Sequence, residues 1–315
     1  MRIVYHPKLV FGSAFLNRFH PFEFDRADRA LEVLREHHGE ELEQHLCSPE
    51  SPVSLEQLSS VHDHSYIKSL AKGSTIARVL EVSFLAWLPR RWLNHWFLEP
   101  ARWSVAASVL GARMALEHGL AVSLGGGFHH AKRSGGEGFC LVSDVAYLVH
   151  VLREDGSLQK DDRLLYIDLD VHQGNGVSDY YAHSSEVRLL DLYNEEIYPV
   201  YGGDVSAEVS IARPLPPGCS DELYLDTLRP ALEELMEGWE SSRLLIYNAG
   251  NDVFKEDRLG GFHLSREGVK ERDRLVLSAA RERGIPTVVL ASGGYSQMSA
   301  TLLADLATTG LHIYG

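Results

Sequence analysis

Short apolar runs recur along the chain and alternate with longer segments of helical periodicity. Most of the runs are continuous valine, leucine and isoleucine, which is typical of parallel strands covered on both faces. We predict strands at residues 2–5, 121–124, 164–169, 187–192, 244–247 and 287–291. Alternating strands and helices predict a doubly wound α/β fold, with a mostly parallel central β-sheet and helices on both faces.

The sequence predicts three longer helices. The segment 103–118 carries an apolar stripe and stops at Gly119, and Ser265 can cap a segment that extends to Gly284. A third segment, 221–238, contains Pro230, which we expect to kink or split the helix. The 315 residues contain no stretch that resembles a linker, and their length allows one large domain or two small ones.

The charge balance limits the partners of the chain. A net charge of −14, from 44 acidic and 30 basic residues, disfavours nucleic acid and anionic membranes and suits basic peptides or amines. Three scattered cysteines indicate neither a disulfide framework nor a cysteine zinc site. We find no apolar run of about 18 residues that predicts a membrane span. The N-terminus lacks the apolar run of a signal peptide, so we expect a cytoplasmic location.

Polar or glycine-rich clusters follow four of the predicted strands. Their sequences are GGGFHHA, DVHQGNG, NAGND and SGGY. In open α/β sheets, ligands bind outside the carboxyl ends of the strands. We therefore expect these four loops to converge at one edge of the sheet and to form one site.

Candidate metal ligands lie in two of these loops. Asp168, Asp170 and His172 are spaced two residues apart at the end of a strand, so their side chains can project to the same side. Carboxylate oxygen and imidazole nitrogen are both zinc ligands, and a buried charged cluster is costly unless it binds a cation. Asp252, after another strand, is a candidate third ligand that leaves a fourth position for water or substrate. A polar cluster that caps a helix is the alternative for each position.

Candidate catalytic groups lie in the other two loops. His129 and His130 are adjacent on a glycine-rich loop, which suits a general base and its electrostatic partner; a pair of surface histidines is the alternative. The hydroxyl of Tyr295 is a candidate to polarise a carbonyl oxygen, and a core tyrosine is the alternative. The chain has neither a GxSxG nucleophile elbow nor a phosphate-binding loop.

Taken together, the motifs resemble the zinc-dependent histone deacetylase family, which has the arginase/deacetylase fold. The segments GGGFHHA, GEGFC, YIDLDVHQGNG, GNDVFKEDRLGGF and SGGY occur in the order of that family, and residues 20–22 and 61–67 are similar to its N-terminal region. The segments DLYNEEIYP and RLGGFHLSREGVKERD resemble its class IV branch, the histone deacetylase eleven type. The resemblance implies a single catalytic domain over residues 1–315, similar in style to bacterial members.

Two cation sites are implied by the resemblance. Asp170, His172 and Asp252 match the ligands of one zinc ion per chain. A structural potassium ion is implied less directly, at a site formed by a set of neighbouring residues: Asp168, Asp170, His172, Asp191 and Leu192.

The resemblance also assigns catalytic and substrate-binding roles. His130 matches the general base and acid, His129 matches its electrostatic companion oriented by Asp168, and Tyr295 matches the tyrosine that stabilises the oxyanion. Four residues match the acyl-lysine channel: Gly138, Phe139, Gly293 and Gly294.

Two positions depart from the commonest family pattern, D-x-H-H-G-D-G. The chain has Gln173 and Asn175, both of which fit the class IV pattern. Asn175 stands where a partner of His130 is expected. Because an amide carries no charge, we expect His130 to lose one interaction that favours the imidazolium form.

The implied reaction is hydrolysis of the amide bond of an Nε-acyl-lysine in a peptide or protein. The class IV resemblance favours long fatty acyl groups, which need an extended apolar channel. Residues 193–203 and the tryptophans Trp87, Trp92 and Trp96 are candidate walls of that channel, although we expect ordinary packing for the tryptophans.

Three other functions are alternatives to the hydrolysis of acyl-lysine. An acetylpolyamine or another small acyl-amine would be hydrolysed by the same chemistry. A catalytically inactive acyl-lysine-binding protein would lack a ligand, the base or the tyrosine, and the sequence retains all of them. A two-manganese ureohydrolase needs a bridging carboxylate two residues beyond His172, where this chain has Gly174.

Overall fold

Eight strands form one central sheet, and every strand pair in it is parallel. The computed structural model describes residues 1–12, 23–199 and 210–315. The strands are β1 (Arg2–Val4), β2 (Leu46–Cys47), β3 (Leu120–Ser123), β4 (Leu164–Asp168), β5 (Val187–Asn194), β6 (Ile211–Leu215), β7 (Leu244–Asn248) and β8 (Thr287–Leu290). Their order across the sheet is β2-β1-β3-β8-β7-β4-β5-β6.

The six predicted strands are present, and the parallel α/β sheet is confirmed. The sequence does not predict β2 and β6, which lie at the two edges of the sheet. β2 has only two residues, and β6 contains Arg213 and Pro214, so neither forms a continuous apolar run. Edge positions tolerate such residues because one row of backbone groups there pairs with no neighbouring strand.

Helices connect the strands and cover both faces of the sheet. The α-helices of the described residues are α1 (Arg26–His38), α2 (Leu55–Leu58), α3 (His64–Ser69), α4 (Gly73–Val79), α5 (Arg90–Leu93), α6 (Glu99–His118), α7 (Asp144–Glu154), α8 (Asn175–Tyr181), α9 (Asp221–Met236), α10 (Arg266–Glu282) and α11 (Ser299–Tyr314). Helix α10 is capped by Ser265, as predicted. Helix α9 continues through Pro230 as one element, so the predicted split does not occur; Pro230 lies on its exposed side.

Two apolar cores lie on opposite faces of the sheet. Successive residues of β4 alternate between them: Leu165 and Ile167 belong to one core, and Leu164 and Tyr166 belong to the other. Helices α9, α10 and α11 contribute to the first core, and α7 and most of α6 contribute to the second. Burial on both faces explains why the strand sequences are continuous apolar runs.

The tryptophan-rich segment between α4 and α6 differs from expectation. Ordinary packing is wrong for Trp87, which is 90% exposed, and for Trp92, which is 41% exposed. Trp96 is half-buried, and its ring centroid lies 5.2 Å from that of Trp92. Among the residues that the structure covers, no helix has the length and apolar character that a bilayer span requires.

A buried ion pair ties α10 to the loops that follow β4 and β7. The guanidinium of Arg272 is fully buried and donates to the carbonyl oxygens of Leu169 (3.2 Å) and Gly250 (2.6 Å). The carboxylate of Asp273 lies 2.8 Å from this guanidinium and accepts a hydrogen bond from the Tyr247 hydroxyl. Because Leu169 and Gly250 belong to different loops, Arg272 fixes the distance between the ends of the two strands.

We expect Arg272→Met to lower the free energy of unfolding by about 3–5 kcal/mol, because it leaves the buried Asp273 carboxylate without its cation. Urea unfolding followed by circular dichroism measures the change. Arg274→Met is the matched control on the same helix, since the Arg274–Glu271 ion pair is at the surface and contributes about 1 kcal/mol or less. Equal losses in the two variants would contradict the structural role of Arg272.

Candidate metal centre and active site

The four polar loops meet at one edge of the sheet, as the sequence predicts. β3, β8, β7 and β4 are consecutive neighbours, and the loops follow their carboxyl ends. The side-chain nitrogen of Asn248 donates to Asp168 Oδ1 and to Ser292 Oγ, both at 2.8 Å. The backbone nitrogen of Ser292 donates to the carbonyl oxygen of Gly126 at 3.0 Å. These hydrogen bonds join the four loops into one site.

Asp170, His172 and Asp252 form the single cluster of three or more potential metal ligands within the described ranges. Nδ1 of His172 lies 3.0 Å from Asp170 Oδ1 and 3.1 Å from Asp252 Oδ2. All three residues are buried, and their ligand atoms lie within 4.8 Å of one another. A tetrahedral zinc ion with bonds near 2.0 Å needs ligand atoms about 3.3 Å apart. The spacing therefore fits one divalent ion of that size.

The charge of the cluster also fits a cation. Burial, followed by the negative charge of Asp170, raises the pKa of Asp252 to about 7. Two buried carboxylates this close destabilise the fold unless a positive charge compensates them. The donor set of two oxygens and one nitrogen is one that zinc accepts in catalytic sites, where the fourth position stays open.

Hydrogen bonds fix the orientation of both carboxylates. Asp170 Oδ2 accepts from Ser292 Oγ and from Gly293 N, each at 2.9 Å. Asp252 Oδ1 accepts from Val171 N at 3.0 Å. The other oxygen of each carboxylate faces the cluster. A Cβ at Gly293 would collide with both carboxylates, which explains the glycine at this position.

His129 is a fixed positive charge beside the cluster. Its Nδ1 lies 2.9 Å from Asp168 Oδ2, and its Nε2 lies 3.6 Å from Asp170 Oδ1. Burial opposes protonation, but the two carboxylates outweigh it and raise the pKa of His129 to about 9. Tyr166 Oη also donates to Asp168 Oδ2, at 2.7 Å, which helps to keep this carboxylate in place.

His130 lies next to His129, with ring centroids 4.0 Å apart, but its protonation state is the opposite. Its Nδ1 lies 2.7 Å from Asn175 Oδ1. Because an amide oxygen only accepts, Nδ1 carries the hydrogen and Nε2 is the basic nitrogen. Burial, and then the charges of His129 and His172, hold the pKa of His130 well below its usual range. A neutral imidazole of this kind suits a general base.

Glu137 orients Asn175, and the sequence does not single it out. The side-chain nitrogen of Asn175 donates to Glu137 Oε1, and Lys132 Nζ lies 3.0 Å from the same carboxylate oxygen. This contact turns the amide oxygen towards His130 and thereby fixes the imidazole tautomer. The position of Glu137 inside the GEGFC segment is the signal that could have revealed it.

Tyr295 lies in contact with both the cluster and the channel. Its ring centroid is 6.4 Å from that of His172 and 6.0 Å from that of Phe139. Burial and the carboxylates of the cluster hold the pKa of Tyr295 well above its usual range, so its hydroxyl keeps its proton. Its backbone nitrogen donates to Asp257 Oδ2 at 2.6 Å. Asp257 is a second supporting residue that the sequence does not single out, although it lies within the GNDVFKEDRLGGF segment.

Asp144 supports the glycine-rich loop. It accepts hydrogen bonds from Gly127 N and Phe128 N, both at 2.8 Å, and from Ser108 Oγ at 2.6 Å. Gly127 has φ +87°, and a Cβ there would collide with the side chain of Asn248. The loop therefore requires glycine at this point and presents the two histidines that follow. No local pattern marks Asp144, because its partners come from distant parts of the chain.

The residues of the expected second cation site also lie together. The sheet register pairs Asp168 with Asp191, and Leu192 follows in the same strand. Asp191 Oδ2 accepts from Gly174 N at 2.9 Å, whereas Oδ1 is buried with no hydrogen-bond partner among the described residues. Burial, followed by the charge of Asp168, holds the pKa of Asp191 well above its usual range. An orphaned carboxylate oxygen of this kind fits a bound cation.

An apolar cavity of about 830 Å³, including its mouth, adjoins the cluster. His129, His130, Asp170 and Tyr295 line it, together with a set of apolar side chains: Leu9, Phe11, Phe24, Leu80, Phe97, Phe128 and Phe139. The guanidinium of Arg26, unmarked in the sequence, lines the cavity too and donates to the carbonyl oxygen of Ser292 at 2.5 Å.

Three of the four expected channel residues line this cavity: Gly138, Phe139 and Gly293. Gly294 is not among the described residues that line the cavity. None of the three tryptophans is among the described residues that line the cavity. In the loop 193–203, residues 193–199 are described, and the ring of Tyr198 lies 5.0 Å from that of His130. Residues 200–203, and the segment 20–22, lie outside the described residues.

The fold and the site together define a class of protein. A parallel α/β sheet carries a buried Asp/His/Asp cluster at the carboxyl ends of its strands, beside a neutral histidine and a protonated tyrosine. This arrangement is typical of metal-dependent hydrolases.

Comparison with known proteins identifies the family. The histone deacetylase domain model matches residues 20–311, and the chain belongs to that family of hydrolases. Histone deacetylase 2 of Arabidopsis thaliana is 34% identical over 307 residues, which cover 96% of this chain and 76% of that protein. An uncharacterized protein of a Picosynechococcus strain is 30% identical over 295 residues, which cover 94% of this chain and 92% of that one. The crystal structure of the HDA15 HD domain has the same fold, with a TM-score of 0.73 at 18% identity, covering 100% of this chain and 90% of that one.

We expect Asn175→Asp to move the acidic limb of the pH–rate profile to higher pH, because a carboxylate favours the imidazolium form of His130 and raises its pKa. The base would then lose its neutral form at a higher pH than in the wild type. Glu137→Gln is introduced together with it, since two adjacent carboxylates would share a proton. The control is Glu137→Gln alone, and kcat/KM is measured as a function of pH. An unmoved limb in the double variant would contradict the assignment of His130 as the base.

Proposed function

We propose that the protein hydrolyses the amide bond of Nε-acyl-lysine residues, with one zinc ion bound by Asp170, His172 and Asp252. The observation that carries this proposal is the position of the ligand cluster beside an apolar cavity, which His130 and Tyr295 also line. An acyl-lysine presents an apolar stem and one polar amide, and this lining offers apolar walls with a few polar groups.

The metal would supply Lewis acid chemistry: it would lower the pKa of a bound water and polarise the carbonyl of the amide. His130 begins neutral, so its Nε2 accepts the proton of the attacking water. The imidazolium formed in this way then donates that proton to the departing lysine amine. The fixed charge of His129 lowers the proton affinity of His130 and favours this second transfer.

Tyr295 stabilises the negative charge that develops on the carbonyl oxygen. Its raised pKa keeps the hydroxyl protonated, and burial strengthens the hydrogen bond that it donates. The Asp257 carboxylate accepts from the backbone nitrogen of Tyr295 and so fixes the main chain that carries the ring. The hydroxyl of Tyr295 therefore needs little reorganisation to donate a hydrogen bond to the oxyanion.

We also propose a structural potassium ion beside Asp168, Asp191 and Leu192. The support is the buried Asp191 Oδ1, which lacks a hydrogen-bond partner in the described part of the chain. A monovalent cation there would keep Asp191 ionised and so preserve the position of Asp168 under His129.

We further propose that the protein is of the class IV type and prefers long acyl chains. The support is the apolar lining of the cavity, in which Phe11, Phe24, Leu80 and Phe97 surround the space next to the cluster. An acetyl group would leave much of this lining in contact with water, whereas a fatty acyl chain would cover it.

Replacing Tyr295 by Phe tests the reaction. We expect turnover on an acyl-lysine peptide to fall by roughly 10²–10³-fold, the effect of one lost oxyanion donor. A fluorogenic acyl-lysine assay, with and without a chelator, measures the rate. An acetylpolyamine in the same assay serves as the small-amine comparison. Full activity in the variant, or activity that is insensitive to the chelator, would rule out the proposed chemistry.

Filling the cavity tests the acyl preference. Ala27 of α1 lines the cavity, and a larger side chain there shortens the available space. We expect Ala27→Leu to lower kcat/KM for myristoyl-lysine by roughly tenfold or more, since each methylene that loses its apolar contact costs about 0.8 kcal/mol. Activity on acetyl-lysine in the same variant is the internal control and should change little. A wild type that strongly prefers acetyl-lysine would refute the fatty-acyl part of the proposal alone.

A further inference from the structure

Exposed aromatic side chains are concentrated in one short segment. Five large hydrophobic residues are exposed in the described part of the chain, and three of them are Phe84 (43% exposed), Trp87 (90%) and Trp92 (41%). We call these three residues the aromatic ridge. A single exposed apolar residue is ordinary on a protein surface, but three large exposed ones within nine residues of the sequence indicate an interaction site.

The aromatic ridge belongs to a folded segment whose other apolar side chains are buried. The segment forms a 3-10 turn (Ser83–Trp87), then helix α5 after Pro89, and then a π-helical turn (Asn94–Leu98) that follows α5 directly. Leu85, Leu93 and Phe97 of the same segment are buried. The exposure of the ridge is therefore part of the folded structure and does not come from a frayed end.

The charges of the segment differ in sign from those of the chain as a whole. Between Glu81 and Glu99 the sequence has no acidic residue but has Arg90, Arg91 and His95, in a protein of net charge −14. Arg90 and Arg91 are exposed and take part in no ion pair among the described residues. Glu99 is compensated by Lys8, whose Nζ lies 2.8 Å away.

The net charge alone disfavours an anionic surface, but the local charge decides the contact. At physiological ionic strength a charge is screened beyond about 8 Å. Between Phe84 and Trp92 the formal charges that such a surface meets are those of Arg90 and Arg91. Aromatic rings flanked by arginines are the composition that favours the interface between lipid headgroups and acyl chains.

We propose that the aromatic ridge docks the protein on an anionic lipid membrane. A tryptophan that is 90% exposed stands clear of its own surface, so a rigid partner would need a matching pocket, whereas a lipid interface accepts the ring without one. The chain has no helix that spans a bilayer among its described residues, so this contact is peripheral. Leu80 and Phe97, which lie before and after the aromatic ridge in the sequence, line the cavity, so docking would bring the cavity close to the lipid surface.

Sedimentation with vesicles tests the docking. We expect the protein to bind vesicles of phosphatidylcholine mixed with phosphatidylglycerol and not to bind vesicles of pure phosphatidylcholine. The bound protein should dissociate as the salt concentration is raised. Replacing Arg90 and Arg91 together by Gln should weaken binding by roughly 25-fold, at roughly fivefold for each arginine. Trp87→Ala should weaken it by at least roughly tenfold. The assay contains no substrate, so its result is independent of the proposed activity.

Matched variants on other surfaces control for general effects. Leu223→Ala removes an exposed apolar side chain (43% exposed) from α9, and Lys160→Gln with Lys270→Gln removes two exposed charges. Both controls should bind as the wild type does. The proposal is overturned if the wild type fails to bind anionic vesicles at low salt, or if the ridge variants bind unchanged. It is also overturned if sedimentation velocity shows a dimer that Trp87→Ala abolishes, since the ridge would then join two copies of the chain.

Discussion

Two carboxylates and an imidazole are buried in contact with one another at the carboxyl edge of the sheet, and the rest of the site follows from that constraint. In an apolar interior such a cluster is destabilising unless a cation compensates it and hydrogen bonds satisfy the remaining oxygens. The second condition is met locally, because the outer oxygens of Asp170 and Asp252 accept hydrogen bonds from Ser292, Gly293 and Val171. The open side of the cluster is then the place where a divalent ion fits.

The same constraint explains the different states of the two adjacent histidines. The pKa of His129, which lies against Asp168 and Asp170, is raised, whereas His130 lies against the amide of Asn175 and beside His129 and stays neutral. A neutral His130 can accept a proton, and the neighbouring charge of His129 then favours its donation to the leaving group. Glu137 fixes the tautomer of His130, because it accepts from the side-chain nitrogen of Asn175 and so leaves the amide oxygen facing His130.

Much of this could be predicted from the sequence. Strands buried on both faces have continuous apolar sequences, and the spacing of two residues from the end of β4 marked Asp168, Asp170 and His172 as neighbours in the site. The supporting residues Glu137, Asp144 and Asp257 could not be predicted, since each acts through a partner on another loop. The edge strands β2 and β6 were missed because short or proline-containing strands have no apolar run. Trp87 was expected to pack because most tryptophans do, and only the structure shows that Leu85 and Leu93 take the buried positions instead.

X-ray absorption at the zinc edge, on protein loaded with one equivalent of zinc, tests the central claim most directly. The ligand cluster predicts a first shell of oxygen and nitrogen only, at about 2.0–2.2 Å, with outer scattering from a single imidazole. Replacing Asp252 by Asn should alter that shell, whereas replacing Cys47 by Ser should leave it unchanged. Sulfur at about 2.3 Å, scattering from two or more imidazoles, or a second metal within about 4 Å would contradict the account.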